Sequence, residues 1–154
     1  MTGYQPETHA LNSVHAANPF STRAVRPGAI EYLFPADDSL SDLLSRLREN
    51  RWWGEIVGPH GSGKSTLIQT IREALQTEGR TVHLFTLTRG ERSLPAAAND
   101  RSNWDEQTQI VVDGFEQLGW LQRRSLKRTC RLRGCGLLIT AHASFGWPDR
   151  KSVV

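Results

Sequence analysis

Lysine is nearly missing from this chain: three in 154 residues, against sixteen arginines. Cysteine is rarer still, with only Cys130 and Cys135. Two cysteines five residues apart make no disulfide framework, and no second pair completes a four-ligand zinc site. Thiols in a reducing compartment are the expected reading. No apolar run approaches the roughly 20 residues of a membrane helix. No charged segment followed by an apolar block marks a secretory leader near the N-terminus, so a cytoplasmic location is expected. A large surplus of one charge is also absent. The net charge of +3 does not by itself imply nucleic acid. The arginine bias suits forked contacts to carboxylates and phosphates, although codon usage alone produces the same bias. There is no internal repeat.

What remains is the composition of an ordinary globular domain, 38% apolar and 23% charged. Residues 1–28 are polar, broken by Pro6, Pro19 and Pro27, and are expected to form a loose arm. Residues 29–145 are expected to form one domain and 146–154 a short tail. Within the domain, Ala29–Phe34 reads as a strand ended by Pro35. Ser39 and Asp42 resemble a capping box before Leu40, Leu43, Leu44 and Leu47 at helical spacing. Strands are expected at Trp52–Val57, Thr81–Leu87, Gln109–Asp113 and Gly136–His142. Helices are expected from Lys64 to about Gly79 and from Glu116 to Arg133, the second stopped by Gly134. Residues 89–108 are polar, with Gly90 and Pro95, and read mainly as a long loop or broken helix. Strands alternating with helices predict a parallel sheet whose ligands sit beyond the strands' carboxyl ends.

The stretch Gly58-Pro59-His60-Gly61-Ser62-Gly63-Lys64-Ser65 satisfies G-x-x-x-x-G-K-[ST] at every fixed position. Glycines let backbone N–H groups wrap closely around phosphates, and the helix that follows points unpaired N–H groups at an anion. Lys64 then carries its charge to the β- and γ-phosphates, in binding and in catalysis. Ser65 offers a hydroxyl to magnesium, and Thr66 is a candidate for the α-phosphate. The alternative is a chance glycine turn, which the flanking strand and helix argue against. In "IVVDGFE", Asp113 ends an apolar strand, where a carboxylate can hold the same ion through its water shell.

With these two motifs the chain resembles the P-loop NTPases, Walker A at Gly58–Ser65 and Walker B at Ile110–Asp113, over about residues 56–142. The resemblance implies a three-layer α/β core with a mainly parallel sheet, and a last strand lying between the two motif strands. It also implies ATP and Mg2+ as ligands. It leans toward the AAA- and ABC-like ATPase branch, where a glutamate often follows the Walker B aspartate directly. Here Gly114 stands there, so Glu116 is the candidate base, with Glu91 second. Glu116 also reads as a carboxylate complementing a helix dipole. Thr140 and His142, on one side of their strand, are candidate γ-phosphate sensors. The absence of N-K-x-D argues against a GTPase, and the absence of LSGGQ against an ABC transporter subunit.

The expected function is Mg2+-dependent ATP binding with slow hydrolysis, as a switch or assembly component, alone, as a homo-oligomer or with a protein partner. The resemblance implies a fifth strand, and often a helical lid, after Leu137–Ala141; the expectation is that Ala29–Phe34 supplies an edge strand, that the domain is minimal, or that the sequence is a fragment, so the core is expected to be small or truncated at the C-terminus. Arg124, Lys127, Arg128 and Arg131 form a stripe on the last helix, within the basic run Arg123–Arg133. It reads as a solvated face; the alternative is an ATP-controlled nucleic-acid grip. A small-molecule phosphotransferase is a third reading, and no membrane partner is expected.

Overall fold

The computed structural model describes residues 32–34 and 36–145. The order of elements is α1 (Leu40–Glu49), β1 (Trp53–Val57), α2 (Lys64–Thr77), β2 (Thr81–Thr86), β3 (Thr108–Asp113), α3 (Trp120–Arg133) and β4 (Gly136–Ala141), with short 3-10 turns at Ala96–Asn99 and Phe115–Gln117. The four strands form one parallel sheet in the order β1-β4-β3-β2. The last strand therefore lies between the strands that carry the two motifs.

Strand alternation sorts the core into two layers. Ile56, Val111 and Leu138 face α1 and α2, where Leu43, Leu47, Leu67, Ile71 and Leu75 meet them. Ile110, Val112, Leu137 and Ile139 face the other way, against Phe115, Leu126 and Cys130. The fold is thus a three-layer α/β sandwich. Burying each such aliphatic side chain stabilises it by about 1.5–3 kcal/mol. β3 and β4 are covered on both sides, which is why they read as continuous apolar runs.

Local chemistry sets the ends of the elements. Ser39 caps α1, its Oγ accepting from the Asp42 amide at 3.2 Å. α1 passes into β1 through a tight turn in which Arg51 and Trp52 hold φ of 54° and 65°, and the Trp52 amide returns to the Leu47 carbonyl.

Two expectations are corrected. Tyr32–Phe34 form no strand; the two rings pack edge to face at 4.9 Å on the α1–α2 layer. Residues 29–31, the arm 1–28 and the tail 146–154 lie outside the described residues. The helix expected from Glu116 is two elements. Phe115 and Leu118 both plunge into the core, a spacing met by a 3-10 turn followed by extended chain, and the α-helix starts only at Trp120. The segment read as a long loop or broken helix is irregular up to Gln107 apart from the 3-10 turn at Ala96–Asn99, and it anchors itself with buried Leu94, Ala98 and Trp104. Among the described residues no helix is long and apolar enough to cross a membrane.

Candidate functional site

The carboxyl ends of the strands open into a cleft of about 810 Å3, within the range of small-ligand sites. Its floor is the loop between β1 and α2. The Gly58 amide donates to the Ala141 carbonyl at 3.1 Å, tying the loop to β4. Gly63 enters α2 at φ 81°, a left-handed turn that a side chain would strain. α2 has no side-chain cap and no acidic residue in its first turn, so its N-terminal amides face the cleft uncompensated. Lys64 curls back over the loop, its Nζ donating to the carbonyls of Gly58 and Pro59 at 2.6 Å each.

The two motifs meet. Ser65 Oγ donates to Asp113 Oδ2 at 3.0 Å, although 48 residues separate them. Thr140 Oγ1 donates to the other oxygen, Oδ1, at 2.5 Å, and accepts from the Gly114 amide at 3.0 Å. Thr140 is buried, so its hydroxyl serves Asp113 and Gly114 at the cleft wall. Gly114 adopts φ 81°, and a Cβ there would meet the Leu87 carbonyl at 2.7 Å. A side chain at position 114 would therefore both strain the backbone and collide with that carbonyl.

Glu116 lines the cleft from the 3-10 turn. Its Oε1 lies 3.1 Å from His142 Nε2, while Oε2 is buried with no partner among the described residues. His142 Nδ1 lies 3.3 Å from the Gly58 carbonyl, and the His60 ring lies 3.8 Å from the His142 ring, centroid to centroid, tilted by 50°. Both partners of His142 are acceptors, so a neutral ring, with one N–H, donates to only one of them at a time. Thr66, Gly61, His60 and Gly63 also line the cleft, and Arg89 and Gln117 form its outer wall. Glu91 is placed elsewhere: the Thr88 amide and hydroxyl both donate to its Oε2, which holds the carboxyl below its ordinary value.

Two residues support the cleft from behind in roles that the sequence reading does not assign them. Glu55 is buried in β1; Ser144 Oγ and the Phe145 amide donate to its carboxylate at 3.0 and 2.7 Å, fixing the segment just after His142. Its signal was a charge inside "WWGEIV". Arg123 donates to the carbonyls of Leu118 and Glu116 at 2.7 and 2.6 Å and lies over Phe115 and Phe145, pinning the 3-10 turn. The basic stripe is not uniformly solvated. Lys127 lies over the same two rings and Arg131 over Trp53. Burial is the main cause that lowers the Lys127 ammonium below its ordinary value, with Arg131 adding to it.

No known protein family matches the chain, and no curated protein does. Among solved structures, C. elegans PCH-2 is similar at a TM-score of 0.40 and 15% identity, over 71% of this chain and 37% of that one. The chain thus spans little more than a third of that protein's length.

Proposed function

We propose that the chain is a small P-loop ATPase of the AAA- and ABC-like branch, binding ATP with Mg2+ and hydrolysing it slowly as a switch or assembly component. The observation that carries this reading is the contact of Ser65 with Asp113 at the foot of the glycine loop. A hydroxyl and a carboxylate brought together beside a phosphate-sized cradle are a donor set that suits Mg2+. Bound there, the ion would neutralise charge on the β- and γ-phosphates.

The chain's own residues then divide the work. Backbone amides from His60 to Ser65 cradle the phosphates, and Thr66 sits by the α-phosphate. Lys64 exchanges two carbonyls for phosphate oxygens. Asp113, oriented by Thr140, keeps Ser65 in place. Glu116 accepts a proton from a water molecule while the water's own oxygen attacks the γ-phosphorus. The bond to the β–γ bridging oxygen breaks and its electron pair stays on ADP. His142 leaves Glu116 or Gly58 to meet the γ-phosphate, which makes it the sensor.

Titration with ATP, GTP and ADP, with and without Mg2+, tests the binding step. Lys64→Ala should abolish Mg2+-dependent ATP binding. Glu116→Gln should retain binding and lower phosphate release about 100-fold or more, the span of a lost general base. Equal ATP affinity in Lys64→Ala and the parent protein would overturn the reading. An unchanged rate in Glu116→Gln would remove that residue's role alone.

A further inference from the structure

We infer that the outer face of α3 is a docking surface for an acidic, leucine-bearing helical segment of another protein. Three of the exposed large apolar side chains, Trp120 (68% exposed), Leu121 (64%) and Leu132 (75%), belong to this one helix. At about 100° per residue, Leu121, Arg124, Arg128 and Leu132 share a face directed away from Leu126 and Cys130, the residues that bury α3 against the sheet. Among the described residues, Arg124 and Arg128 are exposed and make no hydrogen bond or ion pair. The helix carries six cations and no acid.

Each feature selects the occupant. Exposed leucines gain only from an apolar partner surface. A phosphodiester backbone would neutralise the arginines but leave the leucines uncovered. A second copy related by a two-fold axis would set arginine against arginine. A helix with leucines along one stripe and glutamates flanking them satisfies both chemistries, in the manner of helix-on-helix packing. Arg123, Lys127 and Arg131 are spread over aromatic rings beneath this face, and so keep the helix in position while its outer residues stay open.

The test uses the full chain and a fluorescein-labelled helical peptide of about five turns, one stripe leucine and its flanks glutamate. A peptide with lysine in place of glutamate and a single-stranded oligonucleotide serve as competitors, read by anisotropy. The acidic peptide should bind at least about tenfold more tightly than the lysine peptide. The pairs Leu121→Ser with Leu132→Ser, and Arg124→Glu with Arg128→Glu, should each weaken it about tenfold or more, with the near-UV spectrum unchanged. Acidic and lysine peptides binding alike would overturn the inference. So would acidic binding indifferent to the leucine pair, or oligonucleotide binding that displaces the peptide. Self-association of the chain abolished by the leucine pair would also overturn it, because the occupant would then be a second copy.

Discussion

At the scale of single residues, the site is built from groups whose bonding capacity is already committed. Asp113 accepts on both oxygens and Lys64 donates to two carbonyls of its own loop, so ligand binding exchanges these bonds rather than adding to them. Away from the cleft, the cysteines carry a stability signature. Cys130 is fully buried, and burial above all pushes its thiol up to about 12; Cys135 is raised for the same first reason. The unfolded thiol ionises near 8.5 while the folded one keeps its proton. The stabilising contribution is therefore whole below about pH 8.5 and lost as pH rises toward about 12, at about 1.4 kcal/mol per pH unit for one thiol. Urea unfolding between about pH 8 and 10.5 should show this decline, and Cys130→Ala should flatten it while lowering stability at neutral pH. Parallel slopes in the two proteins would show that other groups cause it.

At the scale of elements, the sequence declared what repeats and concealed what is irregular. α1 and α2 were legible because their leucines and isoleucines keep one helical face, and because Ser39, Gly63 and Gly79 mark their ends. The strands were legible from apolar runs, to within a residue at most ends. Asp113, Ser65 and Lys64 announced themselves by spacing, and the structure brings Asp113 and Ser65 into contact. The break between Gln117 and Trp120 was hidden, because Phe115 and Leu118 fit a helical period as readily as a 3-10 turn. Glu55 and Arg123 were hidden too: their partners are main-chain groups and hydroxyls, which no side-chain pattern records. Arg123 gives the element-scale prediction. Arg123→Ala removes two bonds to the carbonyls that frame Glu116, and should cost about 1–3 kcal/mol of stability. If the proposed reaction is right, phosphate release should fall while ATP affinity stays. Affinity falling in step with turnover, measured by equilibrium titration, would mean that Arg123 supports the phosphate loop instead.

At the scale of the whole molecule, two apolar layers share one sheet, and Lys64, Ser65, Asp113, Glu116, Thr140 and His142 line one cleft at the carboxyl ends of its strands. Ligand occupancy at about 100 times its dissociation constant should raise global stability by about 2.7 kcal/mol, provided the layers unfold together. The strand order has a further meaning for the growing polypeptide. Among the described residues β1 pairs in the sheet only with β4, and the glycine loop leans on the Ala141 carbonyl. On the ribosome, β2 and β3 can pair early, but the strand that leads into the glycine loop waits alone until β4 slides in beside it. Closing that long separation makes assembly late and all-at-once. A chain ending at Cys135 should bind no nucleotide however long it is incubated; capture of ATP by that shortened chain would disprove the dependence. If the proposed reading holds, ATP cannot serve the newborn protein as an early template: the glycine loop takes its place in one stroke, when β4 locks the first strand in.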